Sequence, residues 1–501
     1  MKKKLITVAA LLLLPSVAGA ATYTCQVFID PDAAEGGVGS ESSPINAWSD
    51  IGDAGWASLT YCQKRGTVYT GTKLNKSVNS VSPVIGAYGS GAKPILRPGL
   101  AQTWAIQQNG SGAISVFDIA IDTVGGSAIR NNTAKLFPIY VDGVDIADAT
   151  GHGVFFSGDD GYVKNSTFSN LTGSAVQSRD SEASSGWEIS YLTIDGAADG
   201  ISLHDEVVGG SGHYIHHITA NDLVENAIDI ASKYDGTVVE YITITNAAQP
   251  AVFDKGTNSV IRKGTISDSD NVAARLQGNG TFSDFYIANV GNGGDDENGC
   301  AILLGSDITA SAGGTATNNT IVLSSDTANC GLRWGALGSG YTAKNNIIHS
   351  DYAISRAAYI ATGATSPISD YNYYYTPNAD NFATIGVTGT NFSAWQAAGY
   401  DDQNGQNTDL PLLDSVGRPR LKSIFDAGAA HDNIYCGSGE PIGAYDLCKG
   451  VSMPPPLWFL GTPDSYELGG GILHTSAIPS GALQDGSEYL LDGTEYLEDG
   501  V

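Results

Sequence analysis

A short motif, a small residue followed by alternating apolar positions, recurs along this chain as SAIRN, HGVFF, SAVQS, DGISL, NAIDI, PAVFD, VAARL, CAILL, CGLRW and YAISR. Its small residues are Ala128, Gly153, Ala175, Gly200, Ala227, Ala251, Ala273, Ala301, Gly331 and Ala353, at spacings of 25, 22, 25, 27, 24, 22, 28, 30 and 22. That period fits one coil of a β-solenoid, and it is too short for a helical repeat or a propeller blade. Second strand-like runs lie between the motifs, as in WEISYLTID, HYIHHITAN and TVVEYITIT, so each coil carries at least two β-strands.

Five or six residues before most of the small residues stands Asp122, Asp148, Asn170, Asp195, Asn221, Asn246, Asp268 or Asp326. Asn and Asp tolerate the left-handed backbone of a tight corner, and stacked at about 4.8 Å they form a ladder. The composition agrees. With 63 Gly, 24 Tyr, 2 Met and 16 % charged residues the chain is poor in helix formers, while 42 % hydrophobic residues can fill a large core. The expected fold is an all-β, right-handed parallel β-helix of about ten coils. Residues 101–359 would form the helix, 21–100 an N-terminal cap with the first coils, and 360–448 the C-terminal coils and cap.

The first twenty residues, MKKKLITVAALLLLPSVAGA, read as a signal peptide with a basic start, an apolar core and Ala18-Gly19-Ala20 before the cut. Export to the periplasm or medium is expected, with no membrane span. Removing Lys2, Lys3 and Lys4 leaves 53 acidic against 22 basic residues, a net charge of 22 − 53 = −31 that repels nucleic acid. Six cysteines in an exported chain favour disulfides. Cys25 with Cys62 and Cys436 with Cys448 are local pairs in the caps, and Cys300 with Cys330 would be stacked by the coil register. After Cys448 the composition changes: residues 449–501 form an acidic, low-complexity tail with DGSEYLL, DGTEYLE and DGV repeating every seven residues.

Register also sorts the outward side chains. Two residues past the small residue come Arg130, Phe155, Gln177, Ser202, Asp229, Phe253, Arg275, Leu303, Arg333 and Ser355. Four past it come Asn132, Ser157, Arg179, His204, Ala231, Lys255, Gln277, Gly305, Gly335 and Ala357. Arg179, His204, Asp229, Lys255 and Arg275 should therefore crowd one face over five coils, with Asp205 and Lys233 just beyond. In so acidic a chain this is a local cationic and titratable patch, with Arg179, His204, Asp205, Asp229, Lys233 and Arg333 as candidate binding residues.

The stretches VFIDPDAAEGGVGSESSPINAWSDI and PVIGAYGSGAKPIL, and later SDYNYYYTPN, FSAWQAAGYDDQN and EPIGAYD, resemble the ends of secreted β-helix proteins of the polysaccharide-lyase-like (pectin lyase-like) superfamily. That superfamily holds lyases, epimerases, hydrolases, adhesins and phage tailspikes, so the resemblance implies the fold and a glycan partner rather than one reaction. Within it, Lys255-Gly-Thr-Asn-Ser-Val-Ile-Arg262 followed by Arg275 resembles polysaccharide lyase family six, the chondroitinase B and alginate lyase group. This resemblance implies β-elimination on a uronate glycan, with Lys255 as base and Arg275 as acid. It also implies calcium (Ca2+), although the positions where that family carries two glutamate ligands are here Ala248 and Pro250.

Other motifs point less far. Gly151-His152-Gly153 is similar to the polygalacturonase GHG but lacks the accompanying aspartates, so His152 reads as a corner residue. His213, His216 and His217 lie on one strand-like run, where alternation splits them between faces. Asp205 and Asp229 could perform glycoside hydrolysis at a suitable separation. The competing function is noncatalytic: a carbohydrate-binding β-helix acting as a surface adhesin or tailspike-like fibre.

Overall fold

The computed structural model describes residues 23–52, 55–131, 137–179, 183–204, 207–291, 299–323, 330–350, 356–370, 372–376, 383–386, 388–398, 406–407, 467–468 and 471–472. Residues 1–20, read above as a signal peptide, and Asp205, Asp326, Cys436 and Cys448 lie outside them. By contacts the chain divides into two units, Met1–Cys448 and Lys449–Val501. In the second, Glu467–Leu468 pairs antiparallel with Gly471–Ile472.

The first unit is a parallel β-helix of about 12 turns, against about ten read from the motif. The difference arises because coils without the motif extend the stack: Leu74–Lys76 and Trp104–Gln108 precede Ala128, and Ala383–Ile385 follows the last repeat. One coil runs from the long strand Glu188–Ala197 through the motif strand Ile201–Leu203 to the short strand Gly210–Ser211, and the next begins at Tyr214. Long strands join a 23-stranded sheet, motif strands a 14-stranded sheet, and some short ones a four-stranded sheet. Ala383–Ile385 closes against Thr388–Thr390 in antiparallel fashion. The helix Phe392–Ala397 follows, with the Asn391 side chain accepting from Ala394 N at 2.9 Å and Trp395 buried near Trp334.

Inside the motif sheet the register stacks Ile129, Val154, Val176, Ile201, Ile228, Val252, Ala274, Ile302 and Leu332, all buried. Burying each larger aliphatic side chain contributes about 1.5–3 kcal/mol relative to exposure. The small residue before each is a packing requirement. A Cβ on Gly153 would lie 2.6 Å from the Phe168 ring and 2.5 Å from the Ala175 carbonyl oxygen, and one on Gly331 would meet Ile348 at 2.5 Å.

The expected corner ladder exists, with one adjustment. Asp148, Asn170, Asn246 and Asp268 have φ of 53, 53, 53 and 55°, whereas beside Asp122, Asp195 and Asn221 the left-handed residue is the next one, Thr123, Gly196 or Asp222. The side chains still bridge coils: Asn221 Nδ2 donates to Asp195 Oδ1 at 2.8 Å, and Asn246 Nδ2 to Asp222 Oδ1 at 3.0 Å. A second left-handed corner bends the long strands at Tyr191, His217, Tyr241 and Lys263. Inside the stack, Asn319, Asn346 and Asn372 form a buried amide ladder, with Nδ2 to Oδ1 distances of 3.0 and 2.9 Å.

Cys25–Cys62 and Cys300–Cys330 are disulfides with Cα separations of 5.7 and 4.4 Å, and Cys300 and Cys330 are register partners. The latter encloses 30 residues of chain, a loop whose closure contributes about 3–4 kcal/mol in the chain-entropy account. Replacing both Cys300 and Cys330 by Ser is therefore expected to lower the melting temperature by several degrees. An unchanged melting curve would mean that strand pairing alone fixes these coils. No described helix is long and apolar enough to cross a membrane.

Candidate functional site

The plus-two column is continuous. Gln107, Arg130, Phe155, Gln177, Ser202, Asp229, Phe253, Arg275, Leu303, Arg333 and Tyr359 are successive register partners on the motif sheet, and Tyr359 takes the place expected for Ser355 because Ala357, not Ala353, aligns with Gly331. The plus-four column departs from expectation because the motif strands from Val154–Phe156 to Ala274–Leu276 end one residue earlier. The following turn sets the direction there: Ser157 and Ala231 are buried while His204 is exposed.

Lys255 survives that change. Its backbone N donates to Ile230 O at 2.9 Å, so it stays in step with the preceding coil, and its Nζ lies 4.7 Å from the Phe253 ring centroid. Arg275, on the next coil, places its guanidinium carbon 5.3 Å from the same centroid. Two cations thus flank one aromatic ring. Arg275 Nη2 donates to Ser306 Oγ at 3.2 Å. With the Gln277 amide turned so that its oxygen faces Arg275, that oxygen accepts from Nε at 2.9 Å and Nη2 at 3.0 Å.

Asp229 precedes Phe253 in the column. It is 7 % exposed, its Oδ1 is buried with no hydrogen-bond partner, and its Oδ2 lies 3.7 Å from His204 Nδ1. One coil earlier is Asp199, which the sequence reading missed. Its carboxyl accepts from Asn226 N and Ser174 Oγ, both at 3.1 Å, yet burial first and the charges of Asp229 and Glu225 next hold its pKa above the ordinary carboxylate value. Its position directly before Gly200, in line with Ser174 and Asn226, was the available signal.

The remaining expected residues separate. Arg179 lies over Phe155, 5.0 Å from its centroid, and donates to Asn131 O at 2.8 Å, away from Lys255. Lys233 is exposed in the turn before Tyr234–Asp235. Arg333 is 3 % exposed and ion-paired with Asp307, whose other oxygen accepts from Ala336 N at 2.5 Å, so this arginine secures a turn beneath the surface. His213 is buried with Nε2 3.0 Å from Ser184 O, while His216 and His217 approach each other at 2.7 Å between their Nδ1 atoms. His152 Nδ1 accepts from Ser174 N at 3.1 Å and the ring stacks on Phe155.

Among the described residues no group of three or more His, Cys, Asp or Glu could hold a metal ion. Ala248 and Pro250 offer no side-chain oxygen where calcium ligands would stand, so the residues present do not fit that site.

No family model and no curated protein matches the chain. Among solved structures it is similar to a lacto-N-biosidase from Eubacterium ramulus, at 11 % identity over 72 % of this chain and 68 % of that one, with a TM-score of 0.41. It is also similar to the Agl-KA catalytic domain, at 14 % identity over 70 % and 62 %, with a TM-score of 0.37. A mutant tailspike protein of E. coli bacteriophage HK620, in complex with a hexasaccharide, gives 10 % identity over 68 % and 73 %, with a TM-score of 0.28. Likenesses this distant carry no argument about activity.

Proposed function

We propose that this chain is an exported polysaccharide-active protein that binds an acidic, uronate-containing glycan along the outward face of the motif sheet and cleaves it by β-elimination at Phe253. The observation that carries the reading is the convergence of Lys255 and Arg275 on that ring. Phe253 offers a face for a sugar ring, and the two cations beside it suit a uronate carboxylate. In the reaction Lys255 Nζ is the base that takes the C5 proton, the C–H electron pair becomes the C4=C5 double bond, and the C4–O bond breaks. Arg275 serves as the acid toward the leaving oxygen, and the surrounding positive charge stabilises the enolate as it develops.

A second reading rests on Asp199. A carboxyl whose pKa burial raises, one coil from Asp229, is the kind of pairing that glycoside hydrolysis uses. The test is incubation with alginate, pectate and chondroitin, following both reducing ends and the ultraviolet absorbance of unsaturated uronates. Both signals rising together supports elimination. Reducing ends without absorbance favours hydrolysis by the aspartates. Binding with neither signal leaves the noncatalytic fibre or adhesin.

A further inference from the structure

Phe253 is not the sole place where the motif sheet gathers cations around an aromatic ring. Near its N-terminal end Lys73 Nζ lies 3.7 Å, and the Arg130 guanidinium carbon 3.9 Å, from the centroid of Trp104. Lys73 comes from the coil before Trp104 and Arg130 from the coil after it. The next coil sets Phe155 beside Arg130, and Arg179 lies over that ring. Among the described residues no carboxylate pairs with Lys73 or Arg130. Arg130 Nη2 donates to Gln107 Oε1 at 3.2 Å, while its Nε is buried with no hydrogen-bond partner. Burial, and then the charge of Arg179, disfavour the ionised form of Arg130. A chain with 53 acidic residues has thus assembled three cations without placing a described counter-charge on two of them. An external anion would relieve their repulsion.

We propose that Lys73, Arg130 and Arg179 form a second anion subsite, which takes a carboxylate of the same polysaccharide chain that occupies the Phe253 site. This rests on the glycan reading above and adds a length requirement to it. From Phe155 to Phe253 the column passes Gln177, Ser202 and Asp229, four strand spacings or about 19 Å. A disaccharide cannot span that distance. A uronate chain must cross roughly four sugar residues, since a strand spacing and a pyranose ring are of similar length. Between the two cationic sites the column holds Gln177, Ser202 and Asp229, all buried and none a cation, so carboxylates are selected at the ends of the span.

The experiment is calorimetric binding of oligogalacturonates and oligomannuronates of increasing length. It compares Lys255→Ala protein, which binds without cleaving, with the same protein carrying Lys73→Met or Arg130→Gln. The expected result is a gain in affinity of roughly tenfold or more once the oligomer is long enough to reach both sites. Either added substitution should remove that gain while leaving di-uronate affinity and the melting temperature unchanged. An undiminished gain in both variants would overturn the second subsite and leave the glycan reading standing. Quenching of Trp104 fluorescence, taken as the difference from Trp104→Phe, by inorganic phosphate or monomeric galacturonate as strongly as by the long oligomer would also overturn it, by showing a site for small anions. If no oligomer of any length binds, the glycan reading fails and the subsite with it.

Discussion

Alanine at Lys255 or at Arg275 is expected to lower turnover on a uronate polymer by about 10² or more, the usual effect of losing a positioned acid or base. Neither side chain belongs to the core, so both variants should keep the melting temperature of the parent. Their effects should differ in kind. Lys255 acts on a proton that moves only during reaction, so its loss should reduce kcat with little change in KM. Arg275 also meets the ground-state carboxylate, and its guanidinium is held by Ser306, whose Oγ accepts from Ile308 N and Thr309 N at 3.0 and 3.2 Å as well. Arg275→Ala should therefore raise KM as well as lower kcat. Full elimination activity in the Lys255→Ala protein would remove this lysine from the mechanism, whatever the fate of Arg275.

The pairing behind that prediction was legible in the sequence because strand register is periodic. Once Ala251 and Ala273 are aligned, Phe253 must lie beside Arg275, and the structure pairs them. The plus-four residues were harder to read because direction is periodic only within a strand. Lys255 and Ala231 hold equivalent positions after equivalent strands, yet one reaches over a ring and the other is buried. The left-handed corner at Tyr191, His217, Tyr241 and Lys263 was hidden for a different reason. Such corners are recognised by Asn, Asp or Gly, and these four residues share no such chemistry. The roles of Asp199 and of Asp254, which follows Phe253, are not legible in the sequence because a carboxylate in a solenoid reads as solvated surface until its burial is known.

Asp254 supports the last prediction, one of stability. Its neighbours along the inner column, Ile230 and Leu276, are apolar, and Asp254 is buried among them. Its Oδ1 accepts from Gly256 N at 2.9 Å and Ser259 Oγ at 3.0 Å, holding the turn that carries Lys255, while Oδ2 is buried without a partner. Burial, reinforced by the charge of Asp229, raises its pKa from 3.8 to about 7. The folded state therefore favours the protonated acid. Below pH 3.8 both states are protonated and stability is unaffected. As pH rises from 3.8 to about 7 the unfolded chain ionises first and stability is lost, by an amount of order 4 kcal/mol once complete. His213, whose pKa burial lowers to about 4, has the opposite slope: its contribution is lost as pH falls from 6.5 toward 4. Over that range the two largely cancel, so the wild type hides both. Asp254→Asn keeps the Oδ1 acceptor and the turn but cannot ionise. Its melting temperature relative to wild type should be near zero difference at pH 4 and rise steadily to several degrees higher at pH 8. Asp254→Ala, which also removes the acceptor, should loosen the Lys255 turn and reduce turnover along with stability. A difference between Asp254→Asn and wild type that stays constant from pH 4 to pH 8 would show that this carboxyl ionises in the folded protein as readily as in the unfolded chain.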